Sequence, residues 1–317
     1  MKLLIVGGAG YIGAHVVQSA EQSGHEVVVV DDLSTGLEKR IDCELVDIDI
    51  SKDEAVSALS KLMKKHEFDA AIHLAAKKRV GESVELPEHY YQQNIGGLAN
   101  LLLAMRENSL QKLVFSSSAA TYGIPEIDYP NEDYPGKPIN PYGETKLIGE
   151  GMVNNASVWG LKGVNLRYFN VAGCDTAELA DTAEFNLIPI AIGALKRGEK
   201  PKVFGTDYPT QDGSCIRDYV HVGDLAVAHL MAVDYLDRET QEFRTFNVGT
   251  GQGASVFEVL AEIKKVSSID FEIEVAPRRA GDPPKLVADA SRIEKVLGFK
   301  AKHDLAEIVR SAWSAAS

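Results

Sequence analysis

Tyr142 and Lys146 stand four residues apart in Pro141-Tyr142-Gly143-Glu144-Thr145-Lys146. On a helix that spacing projects both side chains from one face. A free phenol, with a pKa of about 10, is a poor base at neutral pH. A neighbouring ammonium favours the phenolate, so the pair could take a proton from a hydroxyl and return it. Ser116-Ser117-Ser118 ends an apolar run upstream, and Ser118 could help to position the reacting oxygen.

Tyr-xxx-Lys by itself usually marks a solvated helix face. Its weight here comes from a second constellation, Gly8-x-Gly10-x-x-Gly13, lying between a short apolar strand and a helical pattern. One glycine permits the tight turn, the next lets backbone approach a pyrophosphate, and the third permits close helix packing. The helix N-terminus then offers N–H donors and a favourable dipole to the anion. Asp31 ends the next strand, 18 residues after Gly13. Its carboxylate can accept from an adenosine ribose diol and would repel a 2′-phosphate, and Asp32 adds to that repulsion. NAD is therefore expected rather than NADP. Asp47, closing a third strand, is a weaker candidate for the adenine edge.

These residues need a sheet to position them. Strands are expected at Leu3–Val6, Val27–Val30, Leu45–Asp47, Ala70–Leu74, Leu113–Ser116 and Gly163–Tyr168, with helices at Tyr11–Ser23, Lys52–His66 and Pro87–Glu107 and another from Pro141. Continuous apolar strands alternating with helices imply a doubly wound parallel sheet of Rossmann type. After about residue 173 the elements shorten between prolines, with strands at Thr245–Val248 and Glu272–Val275 and helices at Gly223–Leu236, Ser255–Val266 and Asp304–Ala315. The fold class is thus α/β. A dinucleotide-binding domain over 1–173 is expected to precede a smaller α/β substrate lobe over 174–317, with some chain returning to the first sheet.

Composition narrows the partners. The 317 residues carry 33 Lys and Arg against 46 Asp and Glu, a net charge of −13. That field repels a polyanion and argues against a nucleic-acid partner. The opening apolar run stops after Val6, too short for a signal peptide, and no stretch approaches the length of a membrane span. Cys43, Cys174 and Cys215 are far apart and odd in number, so a reducing cytoplasm without disulfides is the default. His15, His73 and His221 show no ligand spacing, and no metal site is expected.

Taken together, the chain resembles the extended short-chain dehydrogenase/reductases, and among them the nucleotide-sugar epimerases. The matching segments are Gly7-Gly8-Ala9-Gly10-Tyr11-Ile12-Gly13, Val80-Gly81-Glu82-Ser83, Phe115-Ser116-Ser117-Ser118, Pro141-Tyr142-Gly143 and Leu166-Arg167-Tyr168-Phe169-Asn170. Gly205-Thr206-Asp207-Tyr208-Pro209-Thr210, Arg217-Asp218-Tyr219-Val220-His221 and Ala276-Pro277-Arg278-Arg279 continue the match. The resemblance implies exchange of UDP-glucose and UDP-galactose through C4 oxidation, rotation of a 4-keto sugar and hydride return. It makes Tyr142 the base, Ser118 its assistant and Lys146 a ligand of the nicotinamide ribose.

The cofactor set it implies comprises Gly7, Gly10, Tyr11, Ile12, Gly13, Asp31, Asp32, Leu33, Ser34, Thr35, Gly36, Asp47 and Ile48. Leu74, Ala75, Ala76, Lys78, Asn94, Ser116, Tyr142, Lys146 and Phe169 complete that set. On the UDP-sugar side it implies Lys78, Ser118, Tyr142, Asn170, Asn186, Leu187, Val203, Phe204, Arg217, Arg279, Asp282 and Leu286. Two arginines suit a diphosphate because each offers planar charge-assisted donors. A homodimer is also implied, through Pro87–Glu107 and the Tyr142 helix.

Related dehydratases and decarboxylases place acids just after the serine run. Here those positions are Ala119 and Ala120, which favours simple epimerisation. Epimerisation of another UDP-sugar (an N-acetylhexosamine, a pentose or a glucuronate) stays open, as does a catalytically silent NAD-binding regulator on the same fold. Phe185, where an asparagine is frequent, bears on which sugar fits.

Overall fold

Leu3, Leu4, Ile5 and Val6 are all buried, as a strand covered on both faces must be. They belong to the structure, a computed structural model that describes residues 1–238, 244–279 and 281–316. The chain opens with β1 (Lys2–Val6), α1 (Tyr11–Gln22), β2 (Glu26–Asp31), β3 (Glu44–Asp47), α2 (Ala55–His66) and β4 (Ala70–His73). Next come α3 (Val80–Glu85), α4 (Pro87–Tyr90), a π-helical turn (Tyr91–Gly96), α5 (Gly97–Glu107), β5 (Lys112–Ser118) and α6 (Pro141–Asn155). Then follow β6 (Lys162–Tyr168), β7 (Asn170–Ala172), α7 (Leu187–Lys196), β8 (Lys202–Phe204), β9 (Ile216–His221), α8 (Val222–Leu236) and β10 (Thr245–Val248). The last elements are β11 (Gly253–Ser255), α9 (Val256–Ser267), β12 (Glu274–Ala276), β13 (Lys285–Leu286), α10 (Ser291–Leu297) and α11 (Leu305–Ala316).

A seven-stranded sheet runs β10-β6-β5-β4-β1-β2-β3, the doubly wound order expected from the strand–helix alternation. Pairing is parallel from β3 through β5, with Ile5 between Val29 and Ile72. Leu4, Val6, Val28, Val30, Leu98, Leu101, Met105 and Phe115 join one core. The helix expected over Pro87–Glu107 contains the π-turn at Tyr91–Gly96, which hydropathy spacing does not reveal. The strand expected at Glu272–Val275 lies at Glu274–Ala276 and pairs with β8.

Two compact units divide the chain. The first comprises 1–123, 136–167 and 226–246; the second 124–135, 168–225 and 247–317. The expected boundary after residue 173 compares with a crossing between Arg167 and Tyr168, and two excursions interrupt each unit. The second unit has its own core, in which Ile188, Ile192, Val203, Tyr219, Leu260, Ile263 and Ile308 are buried.

Candidate active site

The glycine turn is built by close approach. Gly7 has φ +85°, and a Cβ there would lie 2.4 Å from the Ala75 nitrogen. A Cβ on Gly13 would lie 2.1 Å from the Gly7 carbonyl oxygen, so α1 can start here only with glycine. Gly10 caps α1 without any side-chain bond to the first N–H groups, and around a Cβ on it only the Gly7 oxygen lies within 4 Å, at 3.5 Å. The result is an uncapped helix N-terminus beside open space, which fits a pyrophosphate. Tyr11 and Ile12 begin the helix, and Ile12 is half-buried.

Asp31 is buried, and its carboxylate receives the Ala9 N–H at 3.0 Å and the Leu33 N–H at 2.9 Å. Burial raises its pKa, and those two N–H groups act against the rise. Asp31 thus binds the glycine turn to its own loop. Gly36 is buried against it, since a Cβ there would come 2.7 Å from Asp31 Oδ1. Asp32 accepts from the Ser34 N–H and hydroxyl, and Thr35 is exposed. The Ile48 N–H donates to the Asp31 carbonyl, while Asp47 pairs Asp31 in the sheet and is exposed.

Leu74 and Ala75 both donate their N–H to the Val6 carbonyl, which fixes the 74–76 segment beside the glycine turn. Lys78 is exposed. Its neighbour Lys77, which the sequence reading did not select, places Nζ 2.9 Å from Ser34 Oγ and 4.0 Å from Asp32. A pair of adjacent lysines held no cue to which one would turn toward the acidic loop.

The candidate pair Tyr142 and Lys146 rides on α6. Asn140 caps it by accepting the Gly143 N–H at 2.9 Å, and Pro141 occupies the first turn, where its missing N–H costs nothing. Gly143 and Gly149 bring the helix against its neighbours: a Cβ on either would come within 2.6 Å of the Ala120 oxygen or the Phe115 ring. This closeness lets Lys146 Nζ donate to the Ser116 carbonyl at 2.7 Å and lie 5.1 Å from the Phe115 ring centroid. Ser118 Oγ accepts the Ala120 N–H at 3.1 Å, at the end of the strand that faces this helix.

Burial raises the Tyr142 pKa, and the Ser118 side chain only partly counters it. Burial also lowers Lys146 to about 7, with Glu150 opposing the fall. Asn94 sits in the π-turn, where it accepts the Lys77 N–H and donates to the Lys77 carbonyl and to Thr145 Oγ1.

In the second unit, Arg217 on β9 donates to the Pro283 carbonyl at 2.8 Å and lies 3.4 Å from Asp282. Its register partner on β13 is Leu286, which is half-buried. The Arg279 guanidinium lies 3.8 Å from the Phe204 ring centroid at the end of β8, and Val203 is buried beside it in the strand. Asp218, unselected from sequence, braces this cluster by accepting N–H groups from Thr250, Gly251 and Ala288. Asn170 opens β7, and Phe169 before it is buried. Asn186 stands at the N-cap of α7 without a side-chain cap bond, followed by Leu187. Phe185 is exposed. His15 Nδ1 bonds the Tyr11 carbonyl, and His221 Nε2 bonds Ser311. Among the described residues, no His, Cys, Asp and Glu group could hold a metal ion, and no helix is long and apolar enough to cross a membrane.

Residues 3–249 match the NAD dependent epimerase/dehydratase family. The chain belongs to that family. This epimerase/dehydratase-family chain is 44% identical over 321 residues to the UDP-glucose 4-epimerase of Lactobacillus helveticus, covering 99% of this chain and 96% of that one. Among solved structures it is similar to UDP-glucose 4-epimerase from Brucella ovis in complex with NAD, with a TM-score of 0.94 and 42% identity. That match covers 99% of this chain and 97% of the other. It is also similar to the UDP-Glc/GlcNAc 4-epimerase of Campylobacter jejuni, at a TM-score of 0.85, 40% identity, and 99% and 98% coverage.

Proposed function

We propose that the chain interconverts UDP-glucose and UDP-galactose with a retained NAD. When bound, NAD serves as the acceptor and donor of a hydride at the sugar C4. Gly7, Gly10, Gly13, Asp31 and the 74–76 segment hold it, with Lys146 toward the nicotinamide ribose. Tyr142 takes the proton of the sugar 4-hydroxyl and gives it back, and Ser118 orients that oxygen. The positive charge of an oxidised nicotinamide would favour the phenolate and so make Tyr142 a usable base. Arg217 and Arg279, with Asn170, Asn186, Leu187, Val203, Phe204 and Asp282, hold the UDP end. Lys78 joins these ligands, and Leu286 borders the sugar. Anchoring through the diphosphate leaves the 4-keto sugar able to turn.

The observation that supports this reading best is the buried Tyr142 one helical turn before Lys146, whose Nζ donates to the Ser116 carbonyl at 2.7 Å. Ala119 and Ala120 follow directly on a tight turn and have no proton to exchange at C5, so the reaction ends at epimerisation. The test incubates the purified protein with UDP-galactose and no added cofactor, then separates the products. UDP-glucose, with NAD in the denatured extract, supports the reading. A 4-keto-6-deoxy product, or no turnover, contradicts it.

A homodimer is part of the proposal. Leu103 on α5 and Ile148 on α6 are exposed large apolar side chains on the two helices expected to pair. Sedimentation at the mass of one chain would refute it. Cysteines 43, 174 and 215, which form no disulfide among the described residues, suit the cytoplasm.

A further inference from the structure

Two consecutive serines on β5 hold successive turns of α6. The Ser116 carbonyl receives Lys146 Nζ at 2.7 Å, and Ser117 Oγ donates to Glu150 Oε1 at 2.5 Å. Tyr142, Lys146 and Glu150 are spaced four residues apart and so share one helix face. Arg167 on β6 completes the carboxylate's partners, with Nε donating to Oε1 at 2.8 Å and Nη2 to Oε2 at 2.7 Å. Its guanidinium lies 4.8 Å from the centroid of the buried Tyr122 ring. Both ion-pair side chains are at most 7% exposed. A buried pair of this kind adds little net stability over packed apolar residues, because desolvating both charges offsets their attraction. Holding β6 to α6 is thus a poor reason for it.

We propose that Glu150, fixed by Arg167 and Ser117, is a positioning residue for the reaction, holding the serine strand in register with α6 and supplying the counter-charge that keeps the buried Lys146 an ammonium. This rests on the assignment of Tyr142 and Lys146 above. Burial pulls Lys146 down to about 7, and Glu150 acts against that fall. Other groups face the same compartment. His73 on β4 is discharged, because burial and then Lys146 lower it to about 3. His229 on α8 bonds Ser116 Oγ at 2.8 Å, Tyr142 is a buried phenol, and Arg167 is a cation behind Glu150. Among these, only Glu150 is an anion.

The test measures kcat against pH for wild type, Glu150→Gln and the double variant Glu150→Gln/Arg167→Met, in NAD-loaded enzyme. The double variant leaves no unpaired buried charge, so it keeps the experiment readable if Glu150→Gln alone misfolds. In both, kcat falls with KM for the UDP-sugar unchanged, and the alkaline limb moves to lower pH by roughly half a unit or more, since Lys146 loses its proton sooner. Glu150→Asp keeps the limb near its wild-type position. A folded variant with reduced stability and an unmoved limb overturns the proposal. So does a double variant that cannot fold, since the pair would then serve the fold alone. Lys146→Arg should abolish the limb because guanidinium does not titrate there; a limb that survives it overturns the Lys146 assignment itself, and this proposal with it.

Discussion

Asn94 Nδ2 donates to Thr145 Oγ1 at 3.0 Å, tying the π-turn to the residue before Lys146. Thr145 passes the link on by donating to the Tyr142 carbonyl at 2.8 Å. Because the same amide clips both backbone groups of Lys77, one side chain joins the Lys77 segment to α6. A π-turn adds a residue to a helical turn, and such turns are frequent at functional sites.

Asn94→Ala removes these bonds and leaves buried partners unpaired, a loss of about 1–3 kcal/mol for each such group. The expected result is a melting temperature several degrees lower, NAD that washes out on dilution, and a kcat reduced more than KM. Retained NAD and an unchanged melt would show that the latch does not couple the two segments.

Lys146→Met should stabilise the NAD-free protein while abolishing turnover. The ammonium is buried, and its pKa of about 7 lies well below the ordinary lysine value. Below pH 7 both folded and unfolded chains hold the proton. Between about 7 and 10.4 the unfolded chain holds more of it, so the wild type gains stability as pH rises across that window, by at most about 1.4 kcal/mol per unit. Thermal melts of the NAD-free protein from pH 6 to 10 should show this slope in the wild type only, with the methionine variant melting higher at pH 7. Equal slopes in the two proteins would mean that Lys146 is solvated.

Much of this arrangement is legible in the sequence. Gly7, Gly8 and Gly13 with the buried run Leu3–Val6 specify a strand, a tight turn and a helix, because only glycine meets the close approaches seen at those three positions. Tyr142 and Lys146 share a face because the helix period is fixed by backbone geometry. Asn94, Lys77, Asp218 and Glu150 act through partners 17 to 70 residues away, and such pairings leave no local pattern. The raised phenol pKa was also out of reach, since it depends on burial that a spacing argument does not weigh.

Tyr142→Phe should fold and keep NAD while turnover falls about 10²- to 10⁴-fold, because only the hydroxyl is lost. The ultraviolet phenolate signal that appears at lower pH in NAD-loaded than in NAD-free wild type should be missing from this variant. Turnover close to wild type would transfer the base role to another group.

Leu286 is half-buried on β13 and paired in register with Arg217. A leucine leaves room that tyrosine would fill, and burying an acetamide methyl there gains about 0.8 kcal/mol. Detectable but weaker activity on the N-acetylated UDP-hexosamines is expected beside UDP-glucose and UDP-galactose, and Leu286→Tyr should suppress it selectively. If the activity ratio is the same in both proteins, the residue is packing and not a gate.

The central claim, that one retained cofactor removes and returns the hydrogen of C4, is tested most directly with UDP-galactose deuterated at C4. The purified protein is incubated with it in ordinary water without added NAD, and the UDP-glucose formed is read by mass and NMR. The account predicts product carrying deuterium at C4, with none lost to solvent and none exchanged between differently labelled substrate molecules. Product with ordinary hydrogen at C4, or turnover only when NAD is supplied, would contradict it.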